Sequence, residues 1–166
     1  MIKVQSLSKT FKEVSAVNNI SFEVNNGEIV GLLGENGAGK TTTLRMLATM
    51  LNPTSGTALI NNYDVNKDPE MVRGEIGILF GGEVGLYDRL TGRENIRYFA
   101  ELNGMSKEET EKSIEYLAEN LEMKEYLDRR VGKFSRGMKQ KISIARSIVH
   151  NPSVVLFDEP TSGLDV

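Results

Sequence analysis

The sequence contains no cysteine, which excludes disulfide bridges and thiolate metal sites and fits a reducing cytosol. Long apolar runs are also missing, because every run is far shorter than the roughly 18 residues needed to span a bilayer. The N-terminal stretch MIKVQSLSK lacks the apolar core of a signal peptide. A strong charge of either sign is absent, since the formal net charge is -3. We therefore expect a soluble protein that does not bind nucleic acid, with docking on a membrane partner left open.

The composition that remains is typical of a globular domain. The chain has 166 residues, of which 39% are apolar and 26% are charged. That length is sufficient for one domain with a buried core, and the balance argues against a disordered chain.

Strand and helix patterns alternate in the first half of the chain. The stretches MIKVQSLSKTF and NNISFEVNNGEIVGLL are rich in apolar and β-branched residues, which predicts strands. From Thr41 the apolar positions recur at helical spacing until Pro53, which predicts a helix. GTALINNYDV predicts another strand with a turn, and EIGILF predicts a further buried strand.

The second half is predominantly helical. Capping boxes at Thr91-x-x-Glu94 and Ser106-x-x-Glu109 predict two helix starts, and Gly104 predicts the end of the first helix. The apolar face of the second helix comprises Ile114, Leu117, Ala118 and Leu121.

A last helix is predicted from Ser135 to just before Asn151-Pro152, and the apolar run VVLF after it predicts a buried strand. Strands at both ends that enclose a helical insertion indicate a parallel-sheet α/β core with a helical subdomain.

The stretch GENGAGKTT fits the phosphate-binding pattern G-x-x-x-x-G-K-[ST]. Its glycines let the backbone wrap an anion, the following helix presents its positive end, Lys40 adds a charge, and Thr41 supplies a hydroxyl for Mg²⁺. The alternative is a glycine turn that merely caps a helix. The position between a predicted strand and a predicted helix favours phosphate binding. The predicted ATP-binding residues of this loop are Gly34, Glu35, Asn36, Gly37, Ala38, Gly39, Lys40, Thr41 and Thr42.

Two adjacent carboxylates, Asp158 and Glu159, follow the strand VVLF directly. A Mg²⁺·nucleotide site needs a carboxylate for the metal and a group that activates or orients the attacking water. A solvated acidic turn is the alternative, which the phosphate-binding loop makes less favourable. We therefore predict a metal-binding role for Asp158 and a catalytic role for Glu159.

Three motifs in this order and spacing, GENGAGKTT, FSRGMKQK and VVLFDEPTSGLD, resemble the ATP-binding cassette of ABC transporters. The resemblance covers the whole chain. It implies an α/β fold with a P-loop NTPase (RecA-like) core, an N-terminal antiparallel β subdomain and an inserted helical subdomain. The core and the β subdomain together would comprise residues 1–82 and 134–166, and the helical subdomain would comprise residues 83–133.

The same resemblance assigns roles to individual residues. Residues 34–42 would be Walker A and residues 154–158 would be Walker B, with Glu159 as the catalytic base and with Thr41 and Asp158 as metal ligands. The signature segment, which contacts the ATP held by the opposite protomer, would be Ser135, Arg136, Gly137 and Met138. The D-loop would be Ser162, Gly163, Leu164 and Asp165. Phe11 stands where the family places an aromatic residue that stacks on adenine, and a strand-end aromatic cluster is its alternative reading.

Two positions depart from the family pattern. Arg136 replaces a glycine of the signature, where it either adds phosphate affinity or points to solvent; we favour solvent. Gly81, followed by Gly82 and Glu83, stands where the family has a glutamine that touches Mg²⁺. The surrounding stretch ILFGGEVGLYDRLTGRENIRYFA resembles the sodium-exporting, NatA-like branch of the family, although glycines here also simply let the chain turn.

The resemblance implies an ATP-hydrolysing subunit of an ABC exporter, with ATP and Mg²⁺ as cofactors. It would work as a nucleotide-sandwich homodimer, peripheral on the inner face of the cell membrane, and drive a transmembrane permease through the loop 81–90. Leu86 and Tyr87 are candidates to meet that permease, or else internal anchors of the helical subdomain. The alternatives for function are a soluble cassette outside transport and an ATP-binding, dimerising module with little turnover.

Family cassettes continue past the D-loop to a histidine that contacts the γ-phosphate, and the sequence stops at Val166. His150 lies ahead of the Walker B strand and is not a substitute. We therefore expect a truncated cassette that binds ATP better than it hydrolyses it, and whose unpaired sheet edge makes it less stable or prone to associate.

Overall fold

A computed structural model describes residues 1–80 and 85–159 of the chain. They form two compact units, Met1–Ile76 and Gly77–Val166. The division into 1–82 with 134–166 and 83–133 stays a prediction. In chain order, the elements are β1 (Ile2–Phe11), β2 (Val14–Val24), α1 (Lys40–Leu47), β3 (Ser55–Ile60), β4 (Tyr63–Asp64), α2 (Pro69–Glu75), β5 (Ile76–Leu79), α3 (Gly92–Leu102), α4 (Lys107–Asn120), α5 (Arg136–Ile148) and β6 (Val154–Phe157).

The first unit contains an antiparallel sheet with strand order β2-β1-β3-β4. Ile2 of β1 pairs with Val24 on one side and with Ile60 on the other, so β1 is flanked by two strands. Asn61 and Asn62 join β3 to β4 with φ values of 48° and 70°, a left-handed conformation that asparagine tolerates. This sheet fits the N-terminal antiparallel β subdomain that the family resemblance implies.

The second unit has a helical core contributed by α3, α4 and α5 and by the connection between α4 and α5. Both predicted capping boxes are present, with Thr91 at the start of α3 and Ser106 at the start of α4. Gly104 has φ 75° just after α3, as predicted for a glycine that ends a helix. The fully buried members of this core are Ile96, Ala100, Ile114, Ala118, Met123, Val131, Ile142, Ala145 and Val149.

One predicted strand is wrong. Residues 28–33 form no strand in the described part of the chain, and Ile29 and Leu33 are 101% and 95% exposed. Apolar, β-branched composition favours a strand only where a neighbouring strand accepts its hydrogen bonds, and the described residues offer this segment no ladder. The strand β6 is also less buried than its apolar run predicted, because Val155 and Phe157 are 42% and 40% exposed.

The helix α2 is absent from the sequence-based prediction. Asp68 precedes it and Pro69 lies in its first turn, an arrangement that suits a helix start. At seven residues it is too short to produce a clear helical period.

Candidate nucleotide-binding site

The loop 34–42 leads into α1, whose first residue is Lys40. Gly37 and Gly39 have φ values of 84° and 85°, a backbone region that favours glycine. A Cβ atom at Gly39 would lie 2.2 Å from the carbonyl oxygen of Ala16, so this position also needs glycine for space. The loop is therefore a tight turn that delivers the chain to a helix N-terminus, the geometry that binds anions.

Lys40 lies over its own loop. Its Nζ donates to the carbonyl oxygens of Gly34 at 2.7 Å and Glu35 at 2.8 Å. The N–H of Ala38 also donates to the Glu35 carbonyl, at 3.1 Å, which closes a turn within the loop. An ammonium group carries three donors, so one remains to be directed at an anion. The arrangement places a positive charge next to the helix N-terminus, where Thr41 is half-buried.

The two acids lie at the end of β6. The backbone N–H of Asp158 donates to the carbonyl of Leu79 at 2.8 Å, which extends the pairing of β6 with β5 by one residue. Asp158 is half-buried, whereas Glu159 is exposed and has φ 48°. The two adjacent acids therefore differ in burial, and Glu159 has a left-handed backbone conformation.

The signature segment begins α5. Ser135 is the N-cap, and its Oγ accepts a hydrogen bond from the N–H of Met138 at 3.2 Å. The preceding Phe134 is buried and packs edge-to-face on Tyr126 with 5.2 Å between ring centroids, which fixes the entry into the helix. Ser135 and Arg136 are exposed, and Gly137 and Met138 are half-buried. Phe134 thus anchors the N-terminus of α5 in the core, while Ser135 and Arg136 remain accessible to a ligand.

Phe11 is 46% exposed at the end of β1. The Nζ of Lys9 lies 5.2 Å from its ring centroid, and its strand partner is Val14. This placement leaves a ring face available for an aromatic ligand and equally suits a strand-end cluster. The predicted D-loop residues Ser162, Gly163, Leu164 and Asp165, together with Gly81, Gly82 and Glu83, lie outside the described residues.

The segment 85–91 precedes α3 and contains both candidates for partner contact. Leu86 packs against the helical core, as an internal anchor does, whereas Tyr87 is 49% exposed. Tyr87 packs edge-to-face with Tyr98 of α3 at 5.5 Å between ring centroids. A hydrogen bond with the Tyr87 side chain raises the pKa of Tyr98.

Sequence reasoning missed three residues of this region: Asn95, Tyr98 and Arg146. Arg146 is only 9% exposed and Asn95 is 0% exposed, although both are polar. The sequence did contain a signal for Arg146, because its spacing of four residues from Ile142 places it on the apolar face of α5. A charged residue on such a face indicates a specific partner rather than a solvated surface.

A glycine loop closed by a lysine at a helix N-terminus, in an α/β chain that also carries acids at a strand end, defines a P-loop nucleotide-binding protein. The family model described as ABC transporter matches residues 17–162, and the chain belongs to the ABC transporter family as an ATP-binding cassette.

The chain is similar to several curated proteins of this family. It is 48% identical over 170 residues to the ABC transporter ATP-binding protein NatA of Bacillus subtilis (strain 168), covering 100% of this chain and 69% of NatA. It is 40% identical over 166 residues to the doxorubicin resistance ATP-binding protein DrrA of Mycobacterium tuberculosis (strain ATCC 25618 / H37Rv), covering 99% of this chain and 50% of DrrA. The chain thus spans only part of the length of these relatives.

Solved structures agree on the fold. The ATP-binding subunit of an ABC transporter aligns with a TM-score of 0.89 and 33% identity, over 99% of this chain and 68% of that chain. The ATP-binding cassette MJ0796, in a dimeric post-hydrolysis state bound to ADP and Pi, aligns with a TM-score of 0.86 and 29% identity, over 99% and 76% of the two chains. These structures confirm the predicted fold class and the family.

None of the helices in the described part of the chain has the length and apolar content needed to cross a bilayer.

Proposed function

We propose that this chain is the ATP-hydrolysing motor of an ABC exporter, acting at the inner face of the cell membrane. The observation that carries the proposal is the loop 34–42, in which Lys40 and the N-terminus of α1 provide positive charge at one point. Triphosphate is the ligand class that this arrangement suits, because the loop offers backbone N–H groups and a cation in the same place.

Magnesium fits the donor set of the chain. Mg²⁺ prefers oxygen ligands and is usually held by one or two side chains together with the phosphates of the nucleotide. We assign the Thr41 hydroxyl and the Asp158 carboxylate to it, and Mg²⁺, when bound, neutralises charge that develops on the phosphates. Glu159 accepts the proton of the attacking water, and Lys40 holds the β- and γ-phosphates in place.

Two copies of the chain are proposed to share the nucleotides. The N-terminus of α5, with Ser135 as its cap, is accessible and suits a phosphate presented by another protomer. The dimeric MJ0796 cassette, which this chain resembles in fold, supports the dimer. Arg136 at the first turn of α5 is exposed, in keeping with the solvent-facing role we favour.

The transported ion is proposed to be sodium, since the stretch around Gly81 and Gly82 resembles the sodium-exporting branch and the chain is 48% identical to NatA. The test uses inside-out membrane vesicles from cells that produce the protein with a permease encoded beside it. We expect ATP-dependent sodium uptake into these vesicles and none with Lys40→Ala. ATP hydrolysis without sodium uptake would contradict sodium as the transported ion. A neighbouring gene for a nuclease or ribosome factor, in place of a permease, would contradict a role in transport.

The permease contact is proposed to lie on Tyr87 and Tyr98. Both rings are partly exposed, at 49% and 41%, and aromatic side chains dominate the energy of protein interfaces. Tyr87→Ala or Tyr98→Ala should weaken binding to the permease by about 2 kcal/mol while ATP affinity stays unchanged. Tyr116→Ala, which removes a 67% exposed ring from α4, is the matched control. Titration of the variants onto permease in nanodiscs measures the effect, and an equal loss with Tyr116→Ala would contradict this location.

A further inference from the structure

The segment 85–91 is held by two buried polar side chains that come from different helices. Asn95 of α3 contacts it with both ends of its amide: Oδ1 accepts from the N–H of Tyr87 at 2.8 Å, and Nδ2 donates to the carbonyls of Tyr87 at 3.2 Å and Thr91 at 2.8 Å. Asn95 is 0% exposed, so these hydrogen bonds fix the backbone of the segment against α3 without competition from water.

Arg146 of α5 provides the second attachment. Its Nη1 donates to the carbonyl of Gly85 at 3.0 Å, and the centre of its guanidinium lies 4.4 Å from the ring centroid of Phe99. These contacts join the guanidinium to a backbone carbonyl and to an aromatic face. Burial lowers the pKa of Arg146, which reflects the cost of keeping a cation in this place. A buried cation is unfavourable unless it is hydrogen-bonded or paired, and here the Gly85 carbonyl and the Phe99 ring compensate it.

Two further residues, one on α5 and one just before it, contact the middle of the segment. Lys139 of α5 forms an ion pair with Asp88 at 3.2 Å, and the N–H of Gly132 donates to the Asp88 carbonyl at 3.0 Å. Lys139 lies in the second turn of α5, whereas Arg146 lies near its end. The helix therefore contacts the segment at two points about 10 Å apart along its axis, at 1.5 Å per residue.

We propose that Arg146 is a positioning residue that joins the segment 85–91 to α5, so that a nucleotide contact at the N-terminus of α5 is transmitted to the exposed Tyr87. This inference rests on the proposed function for the nucleotide contact, while the attachment itself is a property of the chain alone. A rigid helix of 13 residues connects the signature segment to Arg146, and Arg146 connects the helix to the segment that carries Tyr87. Loss of the guanidinium would leave the two ends of this connection intact and remove the contact at Gly85, with the Lys139–Asp88 ion pair remaining.

Hydrogen exchange of the full chain, followed by mass spectrometry, tests the attachment. In Arg146→Met we expect the amides at 86–90 to exchange about tenfold faster or more, because a charge-assisted hydrogen bond is lost. Arg146→Lys keeps a cation and a donor and should restore part of the protection. Arg97→Met is the matched control, since Arg97 pairs with Glu111 on α4 and should leave 86–90 unchanged. Faster exchange throughout α3 and α5 in both Arg146 variants would overturn the proposal, because Arg146 would then be a general core residue.

The same measurement with the Mg²⁺ complex of a non-hydrolysable ATP analogue tests the transmission. In the unmodified chain, we expect the analogue to protect residues 34–42, 135–139 and 86–90. In Arg146→Met, protection should persist in the first two regions and be reduced at 86–90, where only the Lys139–Asp88 contact with α5 remains. Protection of the first two regions without 86–90 in the unmodified chain would overturn transmission. No protection at 34–42 would instead contradict the proposed function, and the proposed transmission would fall with it. The exchange rates measured without nucleotide would still test whether Arg146 attaches the segment 85–91 to α5.

Discussion

Lys40→Ala should weaken ATP binding by about 2–3 kcal/mol, which is the worth of a charge-assisted hydrogen bond to phosphate and corresponds to roughly 30- to 150-fold in affinity. The side chain also donates to the carbonyls of Gly34 and Glu35, so its removal acts on the loop as well as on the ligand. Loss of the charge and loss of order in the loop both weaken ATP binding, since a disordered loop must become ordered again when the phosphate binds.

A second variant distinguishes the contribution of the Lys40 charge to ATP affinity from the contribution of the loop conformation. Lys40→Gln keeps donors that can reach a loop carbonyl but removes the charge, so binding should stay weak. Lys67→Ala removes an exposed positive charge from the same unit and should leave affinity unchanged. Calorimetric titration with ATP measures all three variants. Unchanged affinity in Lys40→Ala would contradict the assignment of the phosphate-binding loop, and recovery in Lys40→Gln would attribute the effect to loop geometry.

Features with local causes could be predicted from the sequence. The capping boxes at Thr91 and Ser106 involve residues three positions apart, so their pattern is complete within one helical turn. The left-handed glycines before Lys40 are equally local, whereas the close approach of Gly39 to Ala16 depends on a distant residue. The start of α5 at Ser135 followed from the same kind of signal.

Features that depend on distant residues could not be predicted. Residues 28–33 have the composition of a strand, but strand formation depends on a hydrogen-bonding neighbour that composition does not reveal. Asn95 contacts Tyr87 eight positions earlier, and Arg146 contacts Gly85 across 61 positions. Nothing in the local sequence of α5 identifies the carbonyl that its buried arginine will contact.

The backbone conformation at Glu159 is another feature that could not be predicted from the sequence. Its φ of 48° is uncommon for a residue other than glycine and costs free energy, so surrounding structure must maintain it. Sequence alone placed the residue beside Asp158 without indicating its left-handed backbone conformation. The difference in burial suits a division of roles between the two acids, because Asp158 is half-buried at the end of β6 and Glu159 is exposed.

Glu159→Gln should reduce ATP hydrolysis by about 10²–10⁴-fold while ATP binding is retained, because the substitution removes the proton acceptor and keeps the size of the side chain. Glu122→Gln is a matched control, since Glu122 also has a left-handed backbone, with φ 54°, and is exposed at the end of α4. The control reports any cost of placing glutamine in that backbone region, and it should hydrolyse ATP at the unmodified rate. Phosphate release measures turnover, and calorimetry measures binding in the same preparations. Full activity in Glu159→Gln would assign the base to another acid, with Glu83 as the first to be replaced. A loss of ATP binding that matched the loss of turnover would show that Glu159 supports the site rather than the proton transfer.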